Sequence, residues 1–277
     1  NQLIIKKISG MKTRKRVILT GTLMIAIITL NYCTKEENNN PAVTATDEII
    51  GMTGTPVNLT ASATDPDANT LSLAWSIDES PAGSVATVAG DNNSATFNTS
   101  VAGFYRVKVT ADDGNGGTAS AFVKLYIGGV LPTSITTNTA YPDLFEDIKY
   151  PDYYAVNSLQ ATAGVTFAPG VVVECGPDVT LWFNGNTSFI NAEGTAAKNI
   201  IFRGIDKVKG SWRLIEINSN NLNNKLAYVQ IMHTGSTASS NQKTAILVKS
   251  NVSGRLSIKN TSISQSDGYA VYIDGNT

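Results

Sequence analysis

Apolar and polar residues alternate along most of this chain with a period of two. In Val57, Leu59, Ala61 and Ala63 one set of positions is apolar, while Asn58, Thr60, Ser62 and Thr64 between them are polar. The same alternation recurs in Leu71, Leu73, Trp75, Ile77, in Tyr105, Val107, Val109, Ala111, and in Ala119, Ala121, Val123, Leu125, Ile127. Successive side chains of a strand point to opposite faces, so each run predicts a strand with one buried and one wet face. The runs are short and punctuated by Gly, Pro, Asp and Asn, the pattern of an antiparallel sandwich, here over residues 41–128. Trp75 falls on the inward face and reads as the core tryptophan, with sugar stacking as the alternative.

Downstream the pattern changes. Residues 129–155 read as a connector and N-terminal cap, with a Thr-rich stretch and Tyr141-Pro142-Asp143. Leu144, Phe145 and Ile148 have helical spacing, which predicts a short amphipathic turn able to cover the open end of the strands beyond it. From Val156 on, apolar strands separated by Gly, Asn and Asp include Val165, Phe167, then Val171, Val173, Cys175, then Val179, Leu181, Phe183, then Ile200, Phe202. Leu226-Ala227-Tyr228-Val229-Gln230-Ile231 followed by Ala245–Val248 corresponds to Leu256–Thr261 followed by Ala270–Ile273, at offsets of 30 and 25 residues. Similar strands with variable loops between them are the mark of a solenoid. The whole is predicted to be all-β, a sandwich followed by the first turns of a parallel coil over 156–277.

The N-terminus adds an address. Lys12, Arg14, Lys15 and Arg16 precede an apolar run from Val17 to Leu30, then Cys33 and a polar tail to Asn40. The run is shorter than the roughly 20 apolar residues a spanning helix needs and is diluted by Thr20, Gly21, Thr22 and Thr29, so an export signal over 1–32 fits better than a transmembrane anchor. Residues 33–40 then form a polar tether. The first methionine is Met11, and residues 269–277 stop within the repeating pattern, so the expectation is a fragment of a longer reading frame.

Charge narrows the partners. The chain has 277 residues and a formal charge of −1, but residues 1–32 carry six basic and no acidic side chains, so the remainder stands at −7. Nucleic acids and anionic lipid surfaces are held through Lys and Arg, and this balance argues against both. Cys33 and Cys175 are the two cysteines. If Cys33 carries lipid, Cys175 has no intramolecular disulfide partner, and its inward position makes it a small core residue.

Four resemblances sharpen this reading. Cys33, with Leu30 three residues before it, is similar to the acceptor cysteine of bacterial lipoproteins, although Tyr32 departs from the small residue usual there. Glu36-Glu37 resembles the acidic export tag of one group of Gram-negative lipoproteins. Ala63-Thr64-Asp65-Pro66-Asp67, Trp75 and Gly103 to Gly114 resemble PKD-type and related immunoglobulin-like modules. Ala163 to Val173, Asn191 to Ala196, Ile200 to Gly204 and Gly210-Ser211-Trp212 resemble right-handed parallel β-helix proteins of the pectate-lyase-like fold. Together they imply an exported protein, lipid-anchored to the outer membrane on its periplasmic or outer face. Its partners would be the membrane, through that lipid, and a polysaccharide or surface protein.

Candidate chemistry is sparse. If the Val57 and Leu71 runs are strands B and C, and the Phe104 and Ala119 runs F and G, loops B–C and F–G emerge at one end. Asp65, Asp67, Asp112, Asp113 and Asn115 would then cluster, offering Ca²⁺ the oxygen ligands it takes; the alternative is that they are turn formers. Alternation puts Trp182 outside, where an indole can stack on a glycan or pack against Tyr150, Tyr153 and Tyr154. Arg203, Arg213 and Arg255 are candidates to face a glycan groove; the alternative is that they serve only solubility. Glu174, Glu216 and the other carboxylates of this half read as solvated charge, and His233 as a strand-end or loop residue. The reading is a non-catalytic surface protein, a spacer or adhesive sandwich with a binding face behind it. The rival is a polysaccharide lyase or glycoside hydrolase whose catalytic turns lie beyond Thr277.

Overall fold

The computed structural model describes residues 37–249 and 253–275. The export signal and Cys33 lie outside the described residues. Residues from Asn38 onward form one compact unit, and its described residues contain strands and no helix.

The first eight strands form a sandwich. One sheet has the order β1 (Ala42–Ala45), β3 (Val57–Thr64), β6 (Ser94–Asn98), β5 (Thr87–Asp91), all antiparallel. Facing it, β4 (Ser72–Glu79), β7 (Gly103–Asp112) and β8 (Thr118–Val130) are antiparallel, and β2 (Glu48–Met52) runs parallel to β8. Alternation decides what is inside. Leu59, Phe97, Tyr105, Val107, Val123, Leu125 and Ile127 are fully buried, while Trp75 is half-buried against them and donates its Nε1–H to the Asn92 carbonyl at 3.0 Å. Each such aliphatic or aromatic side chain removed from water contributes about 1.5–3 kcal/mol. Tyr105 also carries a polar tip into the core. Its hydroxyl donates to the Val101 carbonyl, four residues upstream, at 2.7 Å, the tyrosine corner of immunoglobulin-like sandwiches.

From β9 on, all strand pairing is parallel. The strands are β9 (Ser134–Ile135), β10 (Thr139–Tyr141), β11 (Tyr153–Ala155), β12 (Leu159–Ala161), β13 (Gly164–Phe167), β14 (Val172–Cys175), β15 (Thr180–Asn184) and β16 (Phe189–Glu193). They continue as β17 (Ile200–Gly204), β18 (Leu214–Asn218), β19 (Lys225–Ala227), β20 (Val229–Met232), β21 (Thr244–Lys249), β22 (Ser257–Lys259), β23 (Ser262–Ser264) and β24 (Tyr269–Asp274). Each pairs with the strand three places later, giving three parallel sheets: β10-β13-β16-β19-β22, then β9-β12-β15-β18-β21-β24, and β11-β14-β17-β20-β23. Inward positions stack in register, as in the column Ile135, Ala161, Phe183, Ile217, Val248, Ile273. In the last described strands these columns open to solvent, with Ile258, Val271 and Ile273 exposed.

Three expectations change. No amphipathic helical turn forms over Leu144–Ile148: a single hydrogen-bonded turn closes at Asp147–Tyr150, Phe145 is buried against Tyr126 and Tyr150, and Ile148 is 56% exposed. The sandwich instead meets the parallel region directly. β8 runs through to Val130 and pairs with β11, so β2, β4, β7, β8 and the third parallel sheet form one nine-stranded sheet. Finally, Leu226 stands opposite Ile258 and Ile231 opposite Ile263, an offset of 32 residues rather than 30.

Candidate functional site

The second parallel sheet carries the most elaborate surface chemistry. Alternation sends Leu181 and Phe183 into the core and Trp182 outward, where register sets it between Gln160 on β12 and Glu216 on β18. A cleft of about 390 Å³ lies over this row, and Thr180, Arg213 and Ser158 also line it. Ser158 Oγ fixes the cleft floor by accepting the Thr180 N–H at 3.0 Å. Thr180 is only 9% exposed, and its Oγ1 has no hydrogen-bond partner. Trp182 Nε1 and Arg213 Nε are likewise buried and unpartnered.

One wall of this surface comes from residues 236–243 between β20 and β21. Ser239 and Gln242 pair across a tight turn whose central residues, Ser240 and Asn241, have φ of 50° and 61°, the left-handed geometry of a two-residue hairpin. Arg213 Nη2 donates to the Ala238 carbonyl at 2.8 Å, and Lys249 Nζ binds both Ser240 Oγ at 2.6 Å and Asp274 at 2.7 Å. Leu247 is fully buried although Ile246 and Val248 take the inward positions beside it. Glu216, expected to be solvated, is half-buried. Burial raises its pKa against the opposing pull of Lys249 and Arg213. Trp182 does not meet the connector tyrosines: Tyr153 and Tyr154 belong to the third sheet, and Tyr150 stacks on Tyr126 at 3.5 Å.

At the far end of the sandwich the structure gathers part of the acidic set. Asp67 accepts the Asn39 backbone N–H at 2.6 Å and its Nδ2–H at 2.9 Å, while Asp113 accepts Asn38 Nδ2–H at 2.7 Å. These bonds hold both carboxyls below the usual carboxylate range, with the repulsion between Asp67 and Asp113 opposing the effect on Asp67. Asp65 Oδ1 accepts the N–H groups of Asp67 and Asn69, leaving Oδ2 buried and unpartnered. Asp112 is exposed and accepts the Gly114 N–H at 2.7 Å, and Asn115 gives its backbone N–H to Asp113 at 2.7 Å. Among the described residues no group of three or more His, Cys, Asp or Glu is placed to hold a metal ion. Most of the oxygens that calcium would use accept N–H donors, so an incoming cation would have to displace Asn38 and Asn39.

Loops B–C and F–G at one end, sheet order β1-β3-β6-β5 opposite β4-β7-β8, and the tyrosine corner describe one kind of module. Residues 38–126 match the bacterial Ig domain family. The N-terminal Ig1-2 module of Drosophila receptor protein tyrosine phosphatase DLAR is similar over 38% of this chain and 61% of its own, with 16% identity and a TM-score of 0.26. The chain therefore spans less than two thirds of that structure. The ZirS C-terminal domain is similar over 44% of this chain and 86% of its own, with 10% identity and a TM-score of 0.24. No curated protein matches the chain.

Outside the Ig domain the structure places several more of these residues. Glu174 is 6% exposed and pairs with Arg203 at 2.9 Å, so these are not surface charges. His233 is 5% exposed, has φ of 70°, and shares a 2.8 Å hydrogen bond between Nε2 and Gln265 Oε1. Cys175 is fully buried in the core, which raises its thiol pKa. Asp152 was not visible as special. It is 0% exposed and accepts the N–H groups of Leu144, Phe145 and Val172 at 2.6, 2.9 and 2.6 Å.

Proposed function

We propose that this chain is a non-catalytic surface lipoprotein of the cell envelope, anchored to the outer membrane through Cys33. In this reading the Ig domain over 41–128 is a spacer and adhesive module, residues 129–155 are the connector and cap, and residues 156–277 are rungs of a right-handed parallel β-helix presenting a binding face. The rotation of successive strands through three parallel sheets supports the β-helix, and right-handedness is the rule for parallel crossovers.

The continuity of β8 carries the reading. One strand closes the sandwich and begins the third parallel sheet, with Gly129 N–H donating to the Asp152 carbonyl and Leu131 N–H to the Tyr154 carbonyl, both at 2.8 Å. Glu48 of the Ig domain reinforces the junction by accepting from Lys149 at 2.5 Å and from the Tyr150 hydroxyl at 2.6 Å. A module joined this way holds the region behind it at a fixed angle, as a spacer must. The buried carboxylates have structural duties: Asp152 and Asp113 collect backbone amides, and Glu174 neutralises Arg203.

The test is to express the whole chain in a Gram-negative host with an alkyne-tagged fatty acid, and to incubate the purified protein with pectin, polygalacturonate and alginate. Label that disappears in Cys33→Ser, with no unsaturated product in the ultraviolet, is the expected result. Label that persists in Cys33→Ser, or depolymerisation of any of these substrates, overturns the proposal.

A further inference from the structure

We propose that the cleft over Trp182 on the outer face of the second parallel sheet is a binding site for a neutral sugar ring; this rests on and deepens the binding-face reading. The first argument is unfinished hydrogen bonding. Buried polar atoms in folded proteins are paired in roughly nine cases of ten. Thr180, Trp182 and Arg213 all line this one cleft, Thr180 Oγ1, Trp182 Nε1 and Arg213 Nε are buried beneath its surface without partners, and Thr180 is more than nine-tenths buried. A guest carrying several hydroxyls supplies the missing partners once these side chains turn toward it, because each hydroxyl both donates and accepts.

The second argument is the order of side chains along the row. Neighbouring strands lie about 4.8 Å apart, so the indole of Trp182 is flanked at that spacing by the Gln160 amide and the Glu216 carboxylate. An aromatic face between an amide and a carboxylate suits a pyranose, whose C–H face is apolar and whose rim is polar. The cleft volume, about 390 Å³, lies near the lower end of the range for small-molecule sites, about 300–1,000 Å³, and corresponds to about one or two rings.

Charge selects the neutral class. Arg213 and Glu216 are opposite charges in the same cleft, and the Arg213 Nη2 arm is already bonded to the Ala238 carbonyl. An acidic sugar would meet Glu216 with no free guanidinium fork to neutralise it, and would lose to an uncharged one.

The whole chain is titrated by calorimetry and tryptophan fluorescence with gluco-, manno-, galacto- and xylo-tetraose, and with tetragalacturonate as the charged comparison. Saturable binding of at least one neutral tetraose is expected, weakened by about tenfold or more in Trp182→Ala. It should be largely retained in Trp182→Phe, which keeps a ring, and should be weakened in Thr180→Val. If Trp182→Ala unfolds, Gln160→Ala and Glu216→Ala, both outward-facing, must weaken binding instead. Binding that survives these substitutions, a preference for tetragalacturonate, or no neutral tetraose bound at millimolar concentration overturns the site. Its failure is separable from failure of the surface-lipoprotein reading, which is decided by the Cys33 label.

Discussion

Asp152 binds three backbone amides from two separate segments and is sealed from water by the chain it organises. Burial raises its pKa to about 6, with the three amides pulling the other way. Its folded pKa lies above the unfolded carboxylate value of about 4, so its contribution to stability is complete below that value and is lost as pH rises through about 6. Asp67 and Asp113, lowered by Asn39 and Asn38, act with the opposite sign: they stabilise above about pH 4 and lose the effect as pH falls through their depressed values. Replacing Asp152 by Asn turns an N–H donor toward the Val172 N–H and should cost about 1–3 kcal/mol. In denaturant titrations the gap between wild type and Asp152→Asn should be wider at pH 4 than at pH 7, and an equal gap at both would contradict the assignment. Residues of this kind are where sequence reading ends. Trp182 was legible as an outward aromatic because alternation marks it. Thr180 and Glu216 become site residues only through register with strands 20 to 35 positions away, which no local pattern encodes.

Strands were legible as elements wherever one face is buried, but their partners were not. Shifting Leu226 from Leu256 to Ile258 is a two-residue slip, and a period of two looks the same after it; only a one-residue slip reverses the faces. Two apparently continuous strands are also broken at corners. Tyr228, with φ of 52°, separates β19 from β20, and Asn260, with φ of 49°, separates β22 from β23, so each run serves two sheets. Turns between sheets are therefore the vulnerable element. Gly235 has φ of +90°, and a Cβ there would overlap the Asp267 carbonyl, whereas Gly185 has φ of +92° and meets nothing within 4 Å. Gly235→Ala should cost about 2–5 kcal/mol, combining backbone strain with a clash against backbone, and Gly185→Ala about 1–2 kcal/mol from strain alone. Thermal denaturation of the two variants should preserve that order; equal losses would mean that the stacked turn yields.

At the scale of the molecule, the sequence announced two β regions through their different punctuation, and it presented residues 129–155 as a connector because Gly128-Gly129, Pro132 and a Thr-rich stretch look like a break. The structure uses these residues for β8, β9, β10 and β11 instead. Gly128 and Gly129 lie where a Cβ would crowd Tyr154 and Tyr153, so the glycines permit close packing of the two regions rather than flexibility between them. Tyr126, Phe145 and Tyr150 then fill the outer side of the joint, with ring centroids 3.5 to 6.1 Å apart. The Ig domain and the parallel region should accordingly behave as neighbours in one hydrogen-bonded sheet. Native-state hydrogen exchange reads this at the decisive amides, Gly129 and Leu131, against Val107 and Val109 in the sandwich core. Protection of Gly129 and Leu131 comparable to that of the core amides is the predicted result, and exchange at the rate of an unstructured linker would contradict it.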